Sequence, residues 1–170
     1  SSNRMRVAEA EFVFRFGKNI PVQKDPHFPE EVLKAVDQLR LGIELPDSRY
    51  IDFTRVGAAQ LLADNACASW MVLGPEVKVE WKHRDLAEHE VRVTKNGEEV
   101  AVGVGRNVLE GPLQALTWLV NDLRRRGQML YRHQFVTTGT CVTPVPIAPG
   151  DAIVADFGEF GQARVAFSSN

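Results

Sequence analysis

The sequence predicts a β-dominated α+β fold, organised as one domain over residues 1–170. Three observations carry that expectation: short runs alternate with period two, few stretches show helical spacing, and Asn96-Gly97 joins two alternating runs. Because the strands are linked locally, antiparallel pairing is favoured over a doubly wound parallel sheet.

The first strand is expected over residues 8–16, with Ala8, Ala10, Phe12, Phe14 and Phe16 on one face and Glu9, Glu11, Val13 and Arg15 on the other. Pro29 then opens a helix whose first turn holds Glu30 and Glu31, where the dipole favours acids. Val32, Val36 and Leu39 recur at helical spacing, which places the end of that helix near Arg40. A short strand over residues 41–45 stops at Pro46, and a second short helix is expected over residues 58–64. Strands follow over residues 70–73, 77–82, 88–95 and 99–104, the last two joined by a hairpin in which Asn96 and Gly97 both take positive φ. Gly111-Pro112 introduces the best helix, with Leu116, Leu119, Val120 and Leu123 as its apolar stripe and Arg124, Arg125 and Arg126 in the last turn before Gly127. Strands over residues 135–138, 152–157 and 162–167, with a Pro-rich crossing over residues 142–149, complete the chain.

Composition excludes several classes. With 44% hydrophobic residues, 25% charged residues and a net charge of −2, the chain is neither disordered nor equipped with a general field for polyanions. Nucleic acid and anionic membranes are therefore not expected partners, and any anionic ligand must be held locally. No stretch reaches the roughly 20 apolar residues of a membrane-spanning helix, and the first residues lack the apolar core of a secretory signal. Cys67 and Cys141 are too few for a disulfide scaffold and lack zinc-site spacing, so reduced cysteines in a cytoplasmic protein are expected. The chain opens on Ser1 rather than Met, as a piece of a longer chain would.

Chemistry concentrates on the acids. Glu9 and Glu11 stand two apart on one strand, so their carboxylates leave the same face with backbones roughly 7 Å apart, able to converge on one ion or simply to face water. Glu44 lies inside the apolar run 41–45, where an acid is costly unless paired, metal-bound or on an edge facing water. Three carboxylates without a nearby His or Cys favour a hard cation, Mg²⁺ or Mn²⁺. Asp64 and Asn65 read either as a helix C-terminal turn or as polar groups of a site. Thr138-Gly139-Thr140 reads as a strand end or as backbone approaching a ligand. Gly103-Val104-Gly105 lacks both the further glycine and the context of a phosphate loop. His27, His83, His89 and His133 show no ligand-pair spacing, and no nucleophile elbow is present.

These residues line up with a known family. Ala8-Glu9-Ala10-Glu11-Phe12, Gly42-Ile43-Glu44-Leu45-Pro46-Asp47-Ser48-Arg49-Tyr50, Ala63-Asp64-Asn65-Ala66 and Arg84-Asp85-Leu86-Ala87 resemble the fumarylacetoacetate hydrolase superfamily. Within it they are most similar to the 2-keto-4-pentenoate hydratase and 4-oxalocrotonate decarboxylase branch. The resemblance continues in order through the loop 103–112, Ala115 to Leu119, Thr137 to Thr140 and Pro149 to Gly161. It implies a mixed β-sandwich or roll core of the family's C-terminal-domain type, with Mg²⁺ or Mn²⁺ on Glu9, Glu11 and Glu44, and substrate near Asp64, Asn65 and Thr140. It further implies a hydratase adding water to 2-hydroxypenta-2,4-dienoate-like acids in aromatic-compound catabolism. The alternatives are a 4-oxalocrotonate-type decarboxylase, an acylpyruvate hydrolase, or a non-catalytic metal-binding subunit beside an active homologue. Self-association or assembly with such a homologue is expected. Longer relatives carry an N-terminal segment with a lysine and an acid implicated in proton transfer, and the expectation is that this chain lacks it. None of Lys18, Lys24, Lys34, Lys78, Lys82 and Lys95 sits in a matching motif, so the catalytic acid and base stay unassigned.

Overall fold

The computed structural model describes residues 3–169. Alternating β1 (Val7–Phe16) is the spine of the first sheet. It is followed by α1 (Pro29–Ala35), β2 (Val36–Leu45), α2 (Ala58–Ala63), β3 (Trp70–Glu76), β4 (Glu90–Lys95) and β5 (Glu98–Val104). After α3 (Pro112–Arg125) come β6 (Phe135–Thr140), β7 (Val145–Pro146), β8 (Ala152–Asp156) and β9 (Gln162–Ala166). The first sheet has the order β3-β2-β1-β6, with β7 pairing the start of β1, and the second has the order β5-β4-β8-β9. Every strand pair is antiparallel. The β-dominated α+β expectation holds.

The core lies between the sheets. Phe12 on the inner face of β1 meets the rings of Phe157, Phe160 and His89 edge-on, and His89 stacks on Phe160 at 4.1 Å. Phe14 packs against Trp81, and Leu39, Leu41 and Ile43 of β2 are fully buried beside them. Burying such aromatic side chains supplies on the order of 1.5–3 kcal/mol each, so the period-two pattern of β1 fixes which face of the sheet turns inward.

Two expectations fail, both where tertiary pairing overrides local spacing. The first helix ends at Ala35, not near Arg40, and β2 begins at Val36. Leu39, Leu41 and Ile43 follow period two, and a ten-residue β1 draws out a ten-residue partner, with Phe14 opposite Leu39 and Phe12 opposite Leu41. The expected strand 77–82 is absent. Instead β3 runs on through Gly74 and Pro75 to Glu76, with a bulge against Arg40 and Gly42. Proline is tolerated there because β3 is an edge strand. Beyond it, Lys82 N–H donates to the Glu80 side chain, and Trp81 turns in to plug the core, 6% exposed.

The strong turn signals behave as expected. Asn96 and Gly97 both have positive φ in the β4–β5 hairpin. Gly127, at φ 70, closes the C-terminus of α3. Arg125 and Arg126 reach back to Asp122. Gly103 and Gly105 are packing glycines rather than a phosphate loop, because a Cβ on either would drive into the carbonyls of Cys141 and Leu86. Both cysteines are free and buried. Among the described residues, no helix is long and apolar enough to cross a membrane.

Candidate metal centre

The outer face of the first sheet carries the acids. Antiparallel register sets Glu9 directly opposite Glu44, and Glu11 two pairs further along opposite Gly42. Directly opposed residues share a face, so the three side chains leave the sheet together. One carboxylate oxygen from each of Glu9, Glu11 and Glu44 lies within 4.8 Å of the others. Gly42, opposite Glu11, has no room for a side chain, since a Cβ there would stand 2.7 Å from Val13 Cγ2 and 3.0 Å from Met71 Sδ.

Glu11 is 1% exposed, and its two oxygens differ. Oε2 accepts the Gly139 N–H at 2.9 Å, whereas Oε1 is buried without a hydrogen-bond partner. The Gly139 contact depends on a bulge, because Glu11 pairs with Thr140 and Val13 with Thr137, leaving one extra residue on β6. Gly139 takes φ +110 at that point, a conformation glycine adopts without strain.

The electrostatics follow from this crowding. Burial first, then contact with Glu44, pushes the Glu11 carboxyl up to about 8, only partly opposed by the Gly139 N–H. Glu9 is raised as well, by burial and then by the charge of Glu44. Cys141 follows Thr140 on the chain, and its thiol is pushed up to about 12 by burial and then by Glu11, so it stays neutral beside the acids. Among the described residues, no cation contributes to the shifts of Glu9 or Glu11.

A hard divalent cation fits this donor set. Octahedral oxygen ligands at roughly 2.1 Å from Mg²⁺ lie about 3–4 Å from one another, within the observed spread, and the cation would satisfy the orphaned Glu11 oxygen and remove the like-charge conflict.

The other expected residues divide. Thr140 lies beside the corner, opposite Glu11, with its hydroxyl donating to the Val142 carbonyl at 2.8 Å. Asp64 is buried, but both its oxygens are committed within the chain: Oδ2 accepts from Ser48 Oγ at 2.6 Å and from the Arg49 N–H at 3.0 Å, and Oδ1 pairs with the Arg49 guanidinium. Those donors, the Ser48 hydroxyl first, hold its carboxyl below the usual carboxylate range. Asn65 is exposed at φ 53. Sequence reasoning missed the Gly139 N–H and the partners Ser48 and Arg49. The glycine inside Thr138-Gly139-Thr140 and the polar run after Pro46 were the available signals.

Two stacked antiparallel sheets with a three-carboxylate corner define a β-rich fold built around a candidate hard-metal centre. The chain belongs to the fumarylacetoacetate (FAA) hydrolase C-terminal family, whose sequence signature matches residues 2–168. It is 30% identical over 162 residues to the 2-keto-4-pentenoate hydratase of Paraburkholderia xenovorans (strain LB400), covering 95% of this chain and 59% of that one. It is 33% identical over 137 residues to a 4-oxalocrotonate decarboxylase of Pseudomonas putida, covering 81% of this chain and 51% of that one. The structure superposes with a TM-score of 0.84 on the 4-oxalocrotonate decarboxylase of Pseudomonas putida G7 complexed with magnesium and adipate. That match has 30% identity and covers 95% of this chain and 60% of the other. The same decarboxylase complexed with calcium and acetate gives 0.81, also at 30% identity, with 95% of this chain and 59% of that one covered. The chain thus spans about three-fifths or less of the length of these relatives.

Proposed function

We propose that Glu9, Glu11 and Glu44 hold one divalent cation, Mg²⁺ or Mn²⁺, and that the chain is the metal-holding core of a lyase for short 2-oxo or 2-hydroxy-dienoic acids. The observation that carries this reading is the convergence of three carboxylates, one of which, Glu11, has a buried oxygen without a partner. Support comes from relatives named for hydration and decarboxylation of such acids, and from a magnesium-complexed neighbour of the same fold. A divalent cation at this corner supplies Lewis acidity toward a carbonyl oxygen, which favours enolate formation beside the carbonyl of a 2-oxo acid.

The chain's own residues have separate tasks. Glu9 and Glu44 approach from neighbouring strands, and the Gly139 N–H holds Glu11 through Oε2. Thr140 and Asn65 are the substrate-binding candidates. Within this branch the chemistry is hydration of a 2-hydroxypenta-2,4-dienoate-like acid, a reading that rests on the hydratase match along 95% of the chain. Decarboxylation of an oxalocrotonate-like diacid is the second reading, favoured by the TM-score of 0.84 to a decarboxylase. A cytoplasmic assembly, with copies of itself or with a homologous enzyme, completes the proposal.

The test is consumption of 2-hydroxypenta-2,4-dienoate and of 4-oxalocrotonate, each with and without Mg²⁺, by the wild type and by Glu11→Gln. Mg²⁺-dependent turnover of the dienoate that disappears in Glu11→Gln is expected. Turnover of the diacid alone selects the decarboxylase. Metal binding without turnover of either selects the non-catalytic subunit, and activity indifferent to both metal and Glu11 sinks the proposal.

A further inference from the structure

The three strand ends around the acidic corner are laced together by two aspartates that lie outside it. At the start of β1, the backbone N–H of Arg4 donates to Asp47 Oδ1 at 2.7 Å, and Asp47 stands two residues beyond the end of β2. The Asp47 N–H in turn donates to the Cys67 carbonyl at 2.9 Å, in the turn that leads into β3. Asp64 closes the other half of the lacing, taking three donors from Ser48 and Arg49 just after β2.

The turn that begins at Asp64 is held in an unusual conformation. Asn65, Ala66 and Cys67 are three consecutive non-glycine residues with positive φ, at 53, 49 and 66. Asn tolerates that region, but Ala and Cys do not favour it, so the surrounding bonds must impose it. Those bonds include Cys67 N–H to the Asp64 carbonyl at 3.1 Å and Ala68 N–H to the Asn65 carbonyl at 3.0 Å. β3 follows directly, and its Met71 stands opposite Glu44.

We propose that Asp64 is a positioning residue, not a substrate contact: by clamping Ser48 and Arg49 to the Asn65–Cys67 turn it fixes the end of β2 and so the placement of Glu44 at the acidic corner. A side chain 2% exposed, with both oxygens engaged by Ser48 and Arg49, is turned into the fold rather than toward solvent. Groups that orient a metal ligand from behind commonly alter metal affinity about 10–100-fold when removed. The effect on Glu44 rests on the metal-holding reading above, whereas the clamp itself does not.

The experiment compares the wild type with Asp64→Asn, Ser48→Ala and Glu44→Gln, using Mn²⁺ as the calorimetric probe and amide hydrogen exchange at Asp47 and Arg49. Asp64→Asn is expected to stay folded, to bind Mn²⁺ about 10-fold more weakly, and to exchange the Arg49 amide at least about 10-fold faster. Ser48→Ala shifts both readouts the same way by less, and decides the matter if Asp64→Asn fails to fold. Glu44→Gln is expected to weaken Mn²⁺ while leaving the Arg49 amide protected, which separates the ligand from the clamp. Wild-type Mn²⁺ affinity and unchanged exchange in Asp64→Asn, with only binding of the organic acid weakened, overturns the proposal. If the wild type itself binds no Mn²⁺, the metal reading fails, and exchange at Arg49 alone decides for or against the clamp.

Discussion

Glu11 and Asp64 are buried to nearly the same degree, at 1% and 2% exposure, and the fold treats them in opposite ways. Asp64 sits among donors, three of them from Ser48 and Arg49, and its carboxyl is held below the usual range. Glu11 sits among acceptors, with a single N–H from Gly139, and its carboxyl is pushed up to about 8. The difference teaches how to sort buried acids: one whose oxygens are engaged by donors of its own chain serves the architecture, and one left short of donors among like charges is suited to a cation.

The comparison is broken most forcefully at Glu11. Glu11→Ala is expected to weaken Mn²⁺ or Mg²⁺ binding by more than about 100-fold in calorimetry, because it removes the most enclosed of the three proposed ligands. Metal binding itself comes next. At a concentration of about 100 Kd, a cation that binds only the folded chain adds about 2.7 kcal/mol, a rise of roughly 5–10 °C in the thermal midpoint. Glu11→Gln should abolish that rise.

A smaller effect tests the donor that shapes the corner. Gly139→Ala forces a Cβ into φ +110 and against Val108, at a cost of about 1–3 kcal/mol in denaturant unfolding. The finest test is pH, since the two acids have opposite signs. Glu11 ionises at 4.5 in the unfolded chain and at about 8 in the folded metal-free protein. Its contribution to stability is therefore complete below pH 4.5 and is lost progressively as pH rises through 8. Asp64, lowered from 3.8, contributes fully above that value and loses its contribution as pH falls below it. Thermal melts in chelator should accordingly show Glu11→Gln flattening the alkaline limb and Asp64→Asn flattening the acid limb.

Much of this was legible in the sequence, for identifiable reasons. The alternation of β1 placed the Phe residues inward, and Glu9 and Glu11 together on the other face, because side-chain period in a strand is fixed by covalent geometry. Glu44 could be singled out as an acid inside an apolar run, and resemblance strengthened its place beside Glu9 and Glu11, but the register that sets it opposite Glu9 is a long-range pairing that no local pattern encodes. The same limit explains the misplaced end of α1, where Val36 and Leu39 satisfy helical spacing yet belong to a strand drawn out by β1. Asp64 and Thr140 could be singled out as polar residues at strand and helix ends, but the donors that occupy Asp64 come from residues 48 and 49, and only the folded chain brings them there.

The central claim, that Glu9, Glu11 and Glu44 form one cation site, is tested most directly by anomalous diffraction from crystals of the protein grown with Mn²⁺ at pH 8. The account predicts one strong peak bounded by those three carboxylates and absent in Glu11→Gln. A well-ordered corner with no peak there, or a peak that persists unchanged in Glu11→Gln, would contradict it.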